Sequence, residues 1–282
     1  VTVVDGQLYL TTDGDGLLEN ATRSPKGYRN QRRMDAGDAI VHDDGALAEP
    51  PIATCELQGY LYAARLAMAE LLTAFGEPAA AERERAEAAR LRARIDEAFW
   101  MEELGTYAQA LDREKRHVAA VASNPGQLLF CGVPSAERAR RVARRLLAED
   151  MFSGWGIRTL SSEHRAYNPL SYQLGSVWPH DTALIAAGFA RYGLEADAAT
   201  VLEGLLAAAG GFDEDRLPEV LCGLPRTEGW PVPYEKANSP QAWASAAPRL
   251  AVQVLLGLVP DAPRRRCFVR PWLPSWPRSS WP

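Results

Sequence analysis

The chain has 282 residues, of which 47% are hydrophobic, enough to bury the core of one large domain or two smaller ones. Its formal net charge of −5 argues against a nucleic-acid partner, because phosphate backbones are bound by an excess of Lys and Arg. No apolar run reaches the roughly 18 residues that span a bilayer, so no membrane partner is expected.

The N-terminus, the cysteines and the histidines exclude further classes of protein. Val1 leads almost directly into Asp5 and Gly6, a pattern unlike a signal peptide, and we therefore expect a cytoplasmic location. The four cysteines form no CxxC pair and are predicted to be scattered buried thiols: Cys55, Cys131, Cys222 and Cys267. The histidines show no HxxxH or HExxH spacing, so no metal and no cofactor is predicted.

The predicted elements are mostly helices. Residues 1–12 form an irregular or strand-like segment without an obvious partner strand. Helices are predicted over 51–75, 79–99, 135–148, 181–193 and 195–209, and from 240 onward. The first of these is apolar on nearly all sides, which predicts a buried helix. The second has apolar residues at spacings of three and four beside Glu and Arg, which predicts an outer helix.

The ends of two helices carry specific signals. Ser135 is a plausible N-cap, and the basic residues of 138–145 recur at helical spacing, so they indicate a solvated face rather than a phosphate site. Ser239 can cap the last helix with Pro240 in its first turn. Pro248 is expected to kink or break that helix.

Alternating buried and charged helices predict an all-α barrel of helical hairpins. Long loops without structure of their own are uncommon unless they build a site. Three such loops are predicted, at 12–50, 149–177 and 210–238. The domain boundaries that follow are a terminal segment 1–12, a helical domain 13–260 and an irregular tail 261–282.

One loop combines aromatic, cationic, carboxylate and imidazole side chains within 152–188. A pyranose stacks its apolar face on flat rings and needs fixed hydrogen-bond partners for its hydroxyls, so this composition predicts a sugar cleft. The alternative is that the aromatic residues only pack the core. His180 and Asp181 likewise fit either the start of a helix or a sugar pocket.

Carboxylates suited to acetal hydrolysis occur in two of the loops. This reaction needs one carboxyl group to protonate the leaving oxygen and another to activate water. The first loop offers Asp35 and Asp38, and the third offers Glu219 and the acidic run 213–215. Glu219 follows Leu217 and a proline, which favours a fixed, partly buried carboxylate, whereas the acidic run is expected to be solvated.

Four runs of sequence, at 13–64, 153–188, 216–223 and 239–248, resemble the bacterial amylo-alpha-1,6-glucosidases, which are glycogen-debranching-like glycoside hydrolases. The resemblance implies an (α/α)6 toroid and hydrolysis of alpha-glucosidic bonds with inversion. It implies that the partner is a carbohydrate, an alpha-glucan or an oligosaccharide. It leaves two alternatives within this fold, a processing oligosaccharide glucosidase and a mannosylglycerate hydrolase.

The resemblance also implies roles for individual residues. The general acid falls on Asp35 and the general base on Glu219. The substrate-binding positions are Trp155, Arg158, Tyr172, Trp178, His180 and Asp181, together with Asp38 and Gln58 from the first run.

Two departures from the family pattern affect these expectations. Arg32 and Arg33 replace a Gly–Trp pair, and an inward-facing Arg33 would lower the pKa of Asp35, whereas a general acid needs the opposite. The family's first barrel helices and their Arg-Asp motif are not visible, so we expect an incomplete inner ring that favours self-association. A catalytically silent carbohydrate-binding fragment is therefore a further alternative.

Overall fold

The structure is a computed structural model that describes residues 40–261 and 264–270, together with the backbone of three strands within the first 30 residues. Seven α-helices lie in this described part of the chain. They are α1 (Cys55–Ala74), α2 (Pro78–Ala98), α3 (Asn124–Cys131), α4 (Ala136–Leu146), α5 (Pro179–Arg191), α6 (Glu195–Ala209) and α7 (Ala242–Leu255). Two short 3-10 helices cover Asp213–Asp215 and Arg226–Glu228.

The helices form an inner and an outer row. Helices α1, α3, α5 and α7 make the inner row, in which each helix packs against the next. Helices α2, α4 and α6 pack outside α1, α3 and α5 respectively, so successive helices pair as hairpins. This arrangement is an arc of an α/α toroid, as the alternation of apolar and charged helices predicts.

Helix α1 departs from the prediction that it is buried on most sides. Residues such as Tyr62 and Ala69 pack into the core against α2 and α3. Met68, Leu71 and Phe75 are exposed, the last by 77%. Apolar composition predicts burial only where a neighbouring element covers the face, and α2 and α3 cover only part of this helix.

Helix α4 begins as predicted, with the Ser135 side chain accepting a hydrogen bond from the backbone N–H of Arg138. Its arginines pair with carboxylates on neighbouring segments: Arg138 with Asp96, Arg141 with Glu102 and Arg145 with Asp150. These ion pairs favour the interpretation of 138–145 as an ordinary helix face.

Helix α3 is missing from the sequence prediction, although it lies in the inner row. It has only eight residues, too few for helical periodicity to be recognised, and it ends at Gly132 in the left-handed region with φ of 80°. A Cβ at Gly126 would lie 2.5 Å from the Ile185 side chain. Glycine here therefore lets α3 approach α5 closely.

Helix α7 corrects two predictions. It begins at Ala242, where the Gln241 side chain accepts from the backbone N–H of Ala242, so neither Ser239 nor Pro240 belongs to its first turn. It also continues through Pro248 to Leu255 instead of breaking there. Proline removes one intrahelical hydrogen bond, and packing of the Ala244, Ala247 and Ala251 face offsets that loss.

Short strands connect the helices. The strands are β1 (Tyr9–Thr12), β2 (Leu18–Ser24), β3 (Gly27–Asn30), β4 (Ala53–Thr54), β5 (Trp100–Met101), β6 (Thr106–Tyr107), β7 (Ala110–Leu111), β8 (His117–Val118), β9 (Leu258–Asp261) and β10 (Arg266–Val269). Strands β1, β2 and β3 form an antiparallel sheet, which supplies the partner that the N-terminal segment lacked. Strand β10 lies within the tail predicted to be irregular and pairs with β9, and it carries the exposed Cys267, the one cysteine whose predicted burial is wrong.

The two long loops between helices are joined by isolated β-bridges. Arg158 bridges Val177, Val177 bridges Leu221, and Leu221 bridges Pro233. These pairings tie 149–177 to 210–238 and place the residues after α4 and α6 beside one another. The loops are therefore ordered by backbone pairing, which fixes the side chains described next.

Candidate active site

A cavity of about 500 Å³ lies where the inner helices begin. Glu56, Asn124, Asp181 and Trp243 line it, each from the first turn of a different inner helix, α1, α3, α5 and α7. The other residues of its wall are Ile40, Tyr60, Gln109, Ser123, Gln127, Thr159, Tyr172, Gln173, Trp178 and His180. Its volume falls in the range of about 300–1,000 Å³ typical of small-molecule sites.

The floor of the cavity is polar. Gln127 is 4% exposed; its amide nitrogen donates to Asp181 Oδ1, and its oxygen accepts from the Tyr60 hydroxyl at 3.0 Å. Asp181 Oδ2 and His180 Nδ1 are buried without a hydrogen-bond partner among the described residues. A buried polar atom is costly unless it is paired, so both atoms are suited to bind a polar ligand.

Two carboxyl groups of this floor have raised pKa values. Burial raises the pKa of Asp181, although hydrogen bonds from Ser123 and Gln127 and the proximity of His180 act against it. Burial also raises the pKa of Glu56, and the nearby Asp181 adds to that effect. The pKa of His180 is lowered, mainly by burial, so its ring is neutral near neutral pH.

Aromatic rings form one wall of the cavity. Tyr172 and Trp178 meet edge to face with centroids 4.8 Å apart. His180 and Trp243 stack at 4.3 Å with an interplanar angle of 7°. The Trp178 indole nitrogen donates to the backbone oxygen of Tyr172 and to Ser176 Oγ, which fixes the orientation of its ring.

Glu219 lies directly behind this wall. Its residue is 3% exposed, and its Oε1 accepts from the Tyr172 hydroxyl at 2.8 Å. Its Oε2 accepts from the Asn238 backbone N–H at 3.1 Å and from the Asn238 amide at 2.7 Å. The predicted fixed and buried carboxylate is confirmed, whereas Asp213, Glu214 and Asp215 are exposed, as expected of a solvated run.

The hydrogen bonds decide the charge of Glu219. Burial by itself would raise its pKa, but donors from the Asn238 backbone, the Tyr172 hydroxyl and the Asn238 amide outweigh burial and lower it. Burial and the bond to Glu219 raise the pKa of Tyr172 to about 12, so the phenol remains a donor. Glu219 is therefore held as an ionised acceptor beside the cavity.

The structure brings together four of the predicted binding residues, Tyr172, Trp178, His180 and Asp181, on the cavity wall. His180 and Asp181 occupy the first turn of α5, as one interpretation predicts, and they also line the cavity; their role in a sugar pocket stays a prediction.

Three other predicted binding residues have contacts outside the cavity lining. Trp155 lies in a core cluster with the Arg226 guanidinium 4.9 Å from its ring centroid, which is the packing role of the alternative interpretation. Arg158 is buried and donates to the backbone oxygens of Gly223 and Glu149, so it ties two loops together. Gln58 is fully buried and donates to the Thr54 carbonyl.

The remaining predicted residues, Asp35 and Asp38 with Arg32 and Arg33, lie outside the described residues. The separation of the Asp35 and Glu219 carboxyl groups therefore stays a prediction.

Several cavity residues escaped the sequence prediction. Glu56 and Tyr60 belong to the run 13–64, and Trp243 belongs to 239–248, so the resemblance contained a signal for them. No signal in the sequence pointed to Gln127, because helix α3 was not recognised. Within the described ranges no group of three or more His, Cys, Asp or Glu side chains could hold a metal, and no helix there is long and apolar enough to cross a membrane.

Comparison with solved structures defines the class of this fold. Mannosylglycerate hydrolase of glycoside hydrolase family 63 from Thermus thermophilus, in complex with glucose, is 24% identical with a TM-score of 0.59, over 72% of this chain and 45% of that chain. The neutral trehalase Nth1 of Saccharomyces cerevisiae is 16% identical with a TM-score of 0.59, over 78% and 40%. A sialidase is 14% identical with a TM-score of 0.69, over 88% and 23%. The fold is that of the six-hairpin toroidal glycosidases, and the chain spans less than half the length of each of these structures.

A family model identifies the chain more closely. The mannosylglycerate hydrolase MGH1-like glycoside hydrolase domain matches residues 8–219, and the chain belongs to this family. No curated protein sequence matches the chain. The expected toroid and glycosidase family are thus confirmed, but these matches do not single out the amylo-alpha-1,6-glucosidases.

Proposed function

We propose that this chain carries the catalytic base and most of the sugar-binding wall of an inverting glycoside hydrolase that acts on alpha-glucans or short alpha-glucosides. The observation that carries the proposal is the ionised, triply hydrogen-bonded Glu219 behind an aromatic wall of a cavity with a polar floor. General acid–base chemistry needs a positioned carboxylate, and a sugar needs flat rings and buried polar partners.

Glu219 is the base in this proposal. A general base must be ionised before the reaction, and its lowered pKa satisfies this requirement. It would take a proton from a water molecule as the water oxygen bonds to the anomeric carbon. The bond from that carbon to the leaving oxygen breaks, and Asp35 gives the leaving oxygen its proton.

The assignment of Asp35 as the acid rests on the family resemblance. An inverting pair needs its carboxyl groups roughly 6.5–9.5 Å apart, and this separation of Asp35 and Glu219 stays a prediction.

The floor and the aromatic wall would bind the sugar ring. Trp178 and Tyr172 offer aromatic surface to its C–H groups, while Asp181 Oδ2 and His180 Nδ1 are buried acceptors or donors without partners among the described residues. Hydroxyl groups of the ligand would supply the missing partners, which is the usual way such atoms become satisfied.

The bond cleaved in this proposal is alpha-glucosidic, with the alpha-1,6 branch bond as the leading case. A mannosylglycerate hydrolase is the second candidate, because the matching family model is named for that activity.

The test is a panel of glycosides comprising isomaltose, a branched limit dextrin, maltose and mannosylglycerate, with product anomers followed by proton NMR. The unmodified chain is compared with Glu219→Gln and with Glu235→Gln, a control at an exposed glutamate. Release of the inverted anomer by the chain and by Glu235→Gln, but not by Glu219→Gln, supports the proposal. Sugar binding without hydrolysis of any substrate by the unmodified chain contradicts it and favours the silent carbohydrate-binding alternative.

A further inference from the structure

Trp243 is far more exposed than Trp178, the other tryptophan of the cavity wall. It comes from the first turn of α7, within the run 239–248, to which neither acid nor base belongs. Trp243 is 43% exposed, whereas Trp178 on the same wall is 6% exposed. An exposed indole that lines a cavity is a surface available to a ligand.

Two neighbouring rings fix the orientation of the Trp243 ring. His180 stacks on one face at 4.3 Å and 7°, and the Trp178 ring meets it nearly edge-on at 5.7 Å and 73°. His180 stands on α5, which packs against α7, so two adjacent inner helices hold the stack. The indole therefore offers a preformed flat surface and needs little reordering when a ligand binds.

The depth of the neighbouring groups indicates which part of a ligand would meet this surface. Ser123 and Gln127 are 5% and 4% exposed and form the polar floor, where a ring with several hydroxyls is satisfied. Trp243 is the more exposed end of the same wall. A ligand whose first ring occupies the floor would therefore place its next group against Trp243.

We propose that Trp243 stacks on the leaving-group side of the substrate and selects glycosides whose aglycone has a flat apolar face, such as a second pyranose. This inference rests on the proposed function, because that function defines the leaving-group side of the substrate. The inference itself concerns substrate binding and not the rate of hydrolysis. It assigns specificity to a residue that needs no role in proton transfer.

The test compares binding of two probes by calorimetry in a Glu219→Gln background, where no probe is consumed. Isomaltose has a second pyranose, and methyl alpha-glucoside has only a methyl group in its place. Trp243→Ala is expected to weaken isomaltose binding roughly three- to tenfold, the contribution of one stacked aromatic contact, and to change methyl glucoside binding less than twofold. Trp243→Phe is expected to retain most of the isomaltose affinity.

The matched control is Trp230→Ala, since Trp230 is 80% exposed and is not part of the cavity wall. It is expected to leave binding of both probes unchanged. Equal weakening of both probes by Trp243→Ala, or no weakening of either, would overturn the inference, and circular dichroism shows whether the variant is folded. If Trp243→Ala weakens only isomaltose binding but the unmodified chain hydrolyses no glycoside, the proposed function is contradicted and this inference stands. If neither probe binds at all, both are overturned.

Discussion

Glu219, behind the aromatic wall of the cavity, and Asp181, on its floor, are two buried carboxyl groups whose pKa values are displaced in opposite directions. Burial acts on both, and it is the largest single influence in each case. Glu219 accepts from Tyr172 and twice from Asn238, and its pKa falls. Asp181 accepts from Ser123 and Gln127, but burial outweighs these bonds and its pKa rises. The direction of each shift therefore depends on whether the hydrogen-bond donors outweigh burial.

Because their pKa values differ in this way, the two carboxyl groups have different roles in the proposed site. Glu219 has its donors supplied by the protein, so it is ionised before a ligand arrives. Asp181 Oδ2 has no donor among the described residues and a sugar hydroxyl could supply one, so this oxygen is matched to binding. Ligand hydroxyls on Asp181 would favour its ionised form, and sugar binding is therefore expected to lower its pKa.

The largest expected effect separates the acid from the base. Asp35→Asn should lower kcat/KM by about 10²–10⁴-fold for a glycoside with a poor leaving group, and far less for a dinitrophenyl glycoside, whose leaving oxygen needs no proton. Glu219→Gln should lower it for both substrates, because the attacking water still needs a base. Equal losses for both substrates in both variants would contradict the two assignments, and Asp43→Asn, at an exposed aspartate, serves as the control.

Removing the charge of Asp181 should weaken binding and strengthen the fold. Asp181→Asn is expected to raise the KM for the sugar about tenfold or more, since a bond to a charged group contributes about 1.5–3 kcal/mol. The folded-state pKa is raised, so the stability from this group is full below its unfolded pKa and is lost as pH rises through the folded pKa. The variant avoids that loss.

Thermal denaturation at a series of pH values shows whether Asp181→Asn is more or less stable than the unmodified chain. Asp181→Asn should have the higher Tm at pH 7, by about 2–4 °C for each kcal/mol, and the advantage should shrink towards pH 4. Asp213→Asn changes an exposed aspartate and should show no such trend. A lower Tm for Asp181→Asn at pH 7 would show that the carboxylate is stabilised in the folded protein.

A smaller effect is expected from removing one donor to Glu219. Asn238→Ala deletes the side-chain bond to Oε2 and keeps the backbone bond, so the pKa of Glu219 should rise. The acidic limb of the kcat/KM profile should move to higher pH with it, because the base then becomes protonated at a higher pH. Lys236→Gln, an exposed neighbour, should leave that limb in place, and an unmoved limb in Asn238→Ala would contradict the role of this bond.

The smallest catalytic effect is expected at Trp155. Trp155→Phe should lower the free energy of unfolding by about 1–3 kcal/mol through lost core packing and lost contact with Arg226. It should change kcat/KM less than twofold, whereas Trp178→Phe on the cavity wall should change both quantities. If Trp155→Phe lost sugar affinity at unchanged stability, this residue would have the substrate-binding role that the resemblance implies and not the packing role.

The helices could be predicted where the sequence offered length and periodicity. Helices α2, α5 and α6 follow the expected ranges within about two residues, and the Ser135 cap is present. The eight-residue α3 could not be recognised, and with it Gln127 was missed. A sequence also does not show that Trp155 faces the core while Trp178 lines the cavity, because both occur in one loop and contacts between distant segments fix their positions.

The most direct test of the account is a carbon-13 NMR titration of protein labelled at its Glu and Asp carboxyl carbons, with Glu219→Gln and Asp181→Asn used to assign the two signals. The account predicts that Glu219 titrates below the ordinary Glu value of about 4.3 and Asp181 above the ordinary Asp value of about 3.9. It also predicts that added sugar lowers the pKa of Asp181. Titration of Glu219 at or above its ordinary value, or of Asp181 below its own, would contradict the division of roles between the two carboxyl groups.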